Sequence, residues 1–214
     1  MIALLRLLGA DVLRSQRYLA PALLYCAVLG MLYSGDAGTV LPAYAGSCAL
    51  IFPVGAWLAV VISTAEDPVL RTITVVTAGG WGRVLAAVAT LTAATVLLFA
   101  IVATALPVLT NPHPYTLADV RTGLLAHLVC GFSGAAAGLL LSRPLITRTG
   151  VTLLACTAVV VVTFLAGRST PVGLALWMLG HQDVSVPALL GLLALSVALL
   201  AVAVVAGRAV ALRR

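Results

Sequence analysis

The chain is a succession of long apolar runs joined by short polar connections, and the run lengths set the first expectation. A helix of about 20 mostly apolar residues crosses the hydrocarbon core of a bilayer. Six runs read as spans: Tyr18 to Ser34, Pro42 to Ser63, Val84 to Leu106, Thr122 to Leu141, Gly150 to Ala166 and Pro187 to Ala206. The pattern therefore predicts an all-α polytopic membrane protein, with six transmembrane helices in 18–214 and no soluble domain. Pro53, with Gly55 two residues on, predicts a kink in the second span.

The connections carry periodicity of their own. In 1–17, at about 100° per residue, Leu4, Leu5, Leu8 and Val12 share one side while Arg6, Arg14 and Arg17 gather on the other. This predicts an amphipathic helix lying on the inner leaflet. Between the second and third spans, Glu66 and Asp67 precede Pro68, which suits a helix start, and Gly79, Gly80 and Gly82 supply a stop. A short cytoplasmic helix over about 66–78 follows. Asn111-Pro-His-Pro-Tyr115 predicts a stiff, non-helical outer loop. The apolar stretch from Thr170 to Gly180 is too short to cross and predicts a re-entrant or interfacial segment on the outer face, with Trp177 near the headgroups.

Composition removes the soluble alternatives. Of 214 residues 63% are hydrophobic and 8% charged, and mean hydropathy is +1.20. A soluble core of this size cannot hide that much apolar surface, and disordered chains are polar. All twelve basic residues are arginine. Without lysine there is no P-loop and no Schiff-base chemistry. The arginines are scattered and lack interleaved aromatics, so no nucleic-acid partner is expected. With both termini cytoplasmic, ten arginines fall inside and only Arg121 and Arg168 outside, which fixes the expected orientation. Arginine in place of lysine suggests a GC-rich, bacterial genome. Cys26, Cys48, Cys130 and Cys156 lie in apolar runs without metal or redox spacing and read as buried thiols. No metal site and no cofactor bound by this chain are expected.

Three constellations invite chemistry. Gly131-Phe-Ser-Gly134 matches the G-x-S-G motif of rhomboid intramembrane proteases, whose six-span core is similar. Those enzymes need a histidine on the sixth span, and here that span has none. His127 precedes Ser133 by six residues, about 240° around the helix. Gly131, Gly134 and Gly138 read better as a small-residue strip for close helix packing. His127 itself, in the outer part of a span, suits a hydrogen bond to a neighbouring helix or a proton relay. Asp11, Glu66 and Asp67 fall inside and Asp36, Asp119 and Asp183 outside, so no carboxylate lies deep in a span and ion-coupled transport is disfavoured.

Together these elements resemble the membrane subunit of exporter-type ABC transporters, the type-2 permease family. Its members have an inner-leaflet connecting helix, six spans, cytoplasmic termini, a coupling helix between spans two and three and re-entrant elements between spans five and six. The local match is Glu66 leaving span two, Arg71-Thr-Ile-Thr-Val-Val, and the Gly79-Gly-Trp-Gly-Arg83 turn. Arg71 replaces the usual glycine, and Gly80-Trp81 stands where proline is common.

The resemblance implies a non-catalytic permease in a bacterial cell membrane. It would be driven by two copies of a separate ABC ATPase, which bind ATP and Mg, and paired with a second permease chain, identical or homologous. Glu66, Asp67, Arg71, Thr74 and Arg83 would couple the ATPase to the spans. Leu174, Trp177 and Met178 would help close the outer end. An apolar or amphipathic cargo would be exported. The competing readings are the substrate-binding membrane subunit of a vitamin-type uptake system and the rhomboid-like serine protease.

Overall fold

A computed structural model describes residues 1–35, 38–110, 112–146 and 148–213. Asp36, Asn111 and Arg214, placed in loops and at the C-terminus by the sequence, lie outside the described residues. The described chain is helical: α1 (Ile2–Ser15), α2 (Leu19–Leu32), α3 (Val40–Ser63), α4 (Pro68–Ala78), α5 (Trp81–Thr110), α6 (Leu117–Leu140), α7 (Thr149–Leu165), α8 (Pro171–Gly180) and α9 (Val186–Ala211), with a 3-10 turn at Gly167–Ser169. Four of these, α3, α5, α6 and α9, are long and apolar enough to cross a membrane. The protein is membrane-embedded. The runs read as first and fifth spans form the shorter α2 and α7, of 14 and 17 residues, about 21 and 26 Å long at 1.5 Å per residue.

The α3–α6 pair is the centre of the bundle. Its closeness comes from missing side chains. A Cβ on Gly134 would sit 2.1 Å from the Phe52 carbonyl oxygen, and one on Gly138 would sit 2.3 Å from that of Ala56. Gly131 faces α5 instead, where Val96 leaves no room for a methyl group. Small residues here bring backbone against backbone, which is how helices gain packing energy where no hydrophobic drive separates lipid from side chain. Pro53 sits within α3, which runs unbroken from Val40 to Ser63.

Several boundaries differ from the sequence expectation. Helix α5 begins at Trp81 and runs three residues past Pro107, longer at both ends than the run from Val84 to Leu106. Helix α6 begins five residues before Thr122, because Thr116 and Asp119 form a capping box in which each side chain accepts from the other's backbone N–H. Helix α4 begins at Pro68 with Asp67 as its cap, so Glu66 precedes the helix.

The larger difference concerns α7 and α8. Pro171 and Val172, the first residues of α8, line a side cavity of about 190 Å³ with Phe52, Ser133 and Leu199, which lie well within α3, α6 and α9. Phe164, next to the end of α7, stands edge-on to Phe52 with ring centroids 6.0 Å apart. The far end of α8 reaches the start of α3, where Gln182 donates to the Thr39 hydroxyl at 3.3 Å. Helix α7 therefore stops part-way along the bundle, and α8 covers the remaining depth. The break is built from Gly167, at φ 52°, and Gly173, whose Cβ would fall 1.9 Å from the Gly167 carbonyl oxygen. Thr170 caps α8 by accepting from Gly173 N–H at 3.0 Å.

Helix α1 packs along α5. Leu8 is buried against Ile62, Ala87 and Val88, with Leu4, Leu5 and Val12 beside it. Arg6, Arg14 and Arg17 lie on the exposed side.

Candidate functional site

The candidate site is α4 with the residues that hold it at one end of the bundle. Locally the helix is well specified. Asp67 accepts from Val69 N–H at 2.8 Å, Pro68 fills the first helical position, and Gly79 closes the helix in a left-handed conformation at φ 80°. Gly79 N–H and Gly80 N–H bond back to Val76 and Val75 carbonyls at 3.2 and 2.8 Å. Arg83 folds back to donate to the Ala78 carbonyl at 3.0 Å, satisfying a further helix-end acceptor.

The face that α4 turns to the bundle carries Arg71 and Thr74, with Val75 beside them. Glu66, Arg71 and Thr74 are only 6–7% exposed, whereas Val69, Leu70, Ile73 and Val76 are 57–76% exposed. The buried polar residues are held by tertiary bonds. Thr74 donates to Oε1 of Glu66, and Nη1 of Arg71 donates to the Ser63 carbonyl at the end of α3. Trp81 offers its ring 5.9 Å from the Arg71 guanidinium carbon, within cation–π range.

The satisfaction is incomplete. Oε2 of Glu66 and both Nε and Nη2 of Arg71 are buried without a hydrogen-bond partner. Burial lowers the Arg71 pKa from its usual value, the Glu66 charge raises it, and Arg143 lowers it further. Ser63, Trp81 and Arg143 are the members of this cluster that the sequence did not suggest. Ser63 ends α3 and Trp81 opens α5, on either side of α4, while Arg143 comes from the connection after α6. Beside the cluster, α1 and α4 flank a cleft of about 870 Å³ lined by Leu4, Leu7, Thr74, Thr77 and Arg83 among others.

The opposite end of the bundle carries α8. Val172, Ala175, Met178 and Leu179 are buried, and Leu174 packs on the same core. Trp177 has two ring contacts: the Arg168 guanidinium lies 3.8 Å from its ring centroid and the His181 ring stacks at 4.7 Å. Arg168 thus leaves the α7–α8 break and runs along α8, a snorkelling path for a cation that starts within the bundle. The α4 cluster and the α8 residues occupy different ends, so the structure does not bring them together.

His127 is fully buried between these ends. Its Nδ1 lies 2.7 Å from the Gly123 carbonyl oxygen and 3.3 Å from the Thr104 hydroxyl, and its Nε2 lies 2.9 Å from the Ser47 hydroxyl. Tyr33 donates to that same Ser47 oxygen at 2.9 Å. Ser133 instead pairs with Ser196 of α9, hydroxyl to hydroxyl at 2.9 Å. His127 and Ser133 thus have separate partners, and among the described residues no base hydrogen-bonds Ser133 as an activated nucleophile requires. Among the described residues, no group of three or more His, Cys, Asp or Glu side chains is arranged to hold a metal ion.

Comparison with protein-family models, curated proteins and solved structures finds no match.

Proposed function

We propose that this chain is the permease subunit of an ATP-driven transporter of the exporter type, lodged in a bacterial cytoplasmic membrane with both termini inside. In this reading the four long helices, α2 and the broken α7–α8 pair make six crossings. The arginine-rich end, with Arg71, Arg83, Arg143 and Arg208, faces the cytoplasm.

The observation that carries the reading is the inverted face of α4. A helix outside the spans ordinarily buries its apolar stripe. This one buries Glu66 and Arg71 contacts and leaves Val69, Leu70, Ile73 and Val76 exposed, at the i, i+4, i+7 spacing by which a helix seats in a groove. The groove belongs to a separate ATPase, which binds ATP and Mg and works as two copies on a pair of permease chains. The apolar side cavity at the α7–α8 break fits an apolar or amphipathic cargo. Helix α8, with Leu174, Trp177 and Met178, closes the outer end.

Affinity capture tests the reading. Tagged full-length chain, solubilised from its own membrane, is expected to retain a P-loop ATPase. The Ile73→Asp, Val76→Asp double variant is expected to lose it while keeping its expression level and thermal stability, since both positions are exposed. Equal capture by both chains, or capture of no ATPase at all, would overturn it.

A further inference from the structure

The unpartnered atoms beside α4 have a specific geometry. Nε–H and Nη2–H of an arginine point the same way and form the side-on fork that grips a carboxylate by two parallel hydrogen bonds. In Arg71 this is the pair left open, while Nη1 is engaged by Ser63. Glu66 is in the complementary state, with Oε1 bound by Thr74 and Oε2 open. Both side chains are more than nine-tenths buried, where an unmet hydrogen bond is costly and an unpaired charge more so.

The α1–α4 cleft and the small cavity under Ser63 are lined by neither Glu66 nor Arg71. The carboxylate whose charge acts on Arg71 is that of Glu66, and it has an oxygen open for the fork. The remaining charges nearby do not compete for it: Arg143 is a cation, and Asp67 is exposed and engaged as the α4 cap.

We infer that Glu66 is a two-position latch on α4, its carboxylate held by Thr74 in the state described and by the open fork of Arg71 in a second state. With Thr74 the carboxylate ties the α3–α4 loop to the middle of α4. In the fork it satisfies all three open atoms and releases Thr74, so the mid-point of α4 loses its tie to the loop. Both settings use the same two side chains and no outside group. That a partner docked on Val69, Ile73 and Val76 drives the exchange rests on the transporter reading. The exchange itself does not.

The test uses full-length chain in lipid nanodiscs, labelled with ¹⁵N-arginine, with the Arg71 Nε–H signal assigned by its loss in Arg71→Gln. Thr74→Val removes the first holder of Glu66. The Arg71 signal is then expected to move downfield and its hydrogen exchange to slow by about tenfold or more, as for a bond to a charged group. Adding Glu66→Gln should return the signal toward its original position. Thr74→Ala repeats the test without a branched side chain, and Thr74→Ser should resemble the parent. An Arg71 signal unmoved in both Thr74→Val and Thr74→Ala, or a shift that survives Glu66→Gln, would overturn the latch. No partner chain enters these measurements, so failure of ATPase capture leaves them standing, and their failure leaves the capture result standing.

Discussion

Thr74 hydrogen-bonds Glu66 across eight residues of sequence, so the middle of α4 is tied to the loop that leaves α3. The tie holds a carboxylate near Arg71, where its charge opposes the repulsion from Arg143. Glu66→Gln keeps an oxygen for Thr74 but removes that charge. It should destabilise the chain by about 2 kcal/mol, the scale of a buried charged group losing its compensation. Arg71→Gln should cost a similar amount. The double variant should cost clearly less than the two together, because neither charge is then left alone. Thermal unfolding in detergent measures all three, and simple additivity would show that the two charges do not sense each other.

Close backbone approach makes α6 intolerant of side chains at Gly134 and Gly138. The Cβ of Gly134→Ala would overlap the Phe52 carbonyl oxygen, which cannot rotate away as a side-chain tip can. That variant should lose several degrees of thermal stability or fail to accumulate in membranes. Gly191→Ala is the control: it lies in α9 with no neighbour within 4 Å, and its effect should be neutral or slightly stabilising, by up to about 1 kcal/mol, from helix propensity alone. Equal behaviour of the two variants would mean that α3 and α6 are not packed backbone to backbone.

What the sequence revealed and what it hid follow one physical division. Leu4, Leu5, Leu8 and Val12 were legible as a face because helical period is local, and they are the residues α1 packs on α5. The cap at Asp67 and the stop at Gly79 were legible for the same reason. The orientation of α4 was not. Hydropathy alone turns Val69, Leu70, Ile73 and Val76 inward, and only the bonds to Ser63 and Glu66, with the Trp81 ring, turn Arg71 and Thr74 in instead. The α7–α8 break was half legible: the short 170–180 segment stood out, but the approach of Gly173 to Gly167 that ends the crossing has no one-dimensional signature. Ser47 and His127 lie 80 residues apart in sequence and 2.9 Å apart in space.

That last contact orders a series of variants. A carbonyl oxygen only accepts, so the 2.7 Å contact with Gly123 places the imidazole proton on Nδ1 and leaves Nε2 as an acceptor. Ser47 can then donate to Nε2, with the Tyr44 carbonyl at 3.1 Å as its other acceptor, and accept from Tyr33. Ser47→Ala strands a buried acceptor and should cost about 1–3 kcal/mol. Tyr33→Phe removes a donor whose loss leaves Ser47 still bonded to His127, and should cost about 1 kcal/mol. If thermal unfolding put Tyr33→Phe as the worse of the two, the Ser47–His127 bond would not be what holds this cluster.

Opposite ends of the bundle should face opposite sides of the membrane, and two exposed positions mark them. Thr77 sits on the outward side of α4, and Asp183 sits in the turn after α8. Single cysteines at these positions, Thr77→Cys and Asp183→Cys, belong in a background with Cys26, Cys48, Cys130 and Cys156 replaced by alanine or serine. In intact cells an impermeant maleimide should label Asp183→Cys and spare Thr77→Cys, and permeabilisation should expose the second. The expectation follows from Arg71, Arg83, Arg143 and Arg208 crowding the α4 end, since arginine-rich connections stay on the cytoplasmic side. Labelling of Thr77→Cys from outside would place α4 beyond the reach of any cytoplasmic ATPase, and its exposed apolar face would then need an extracellular occupant.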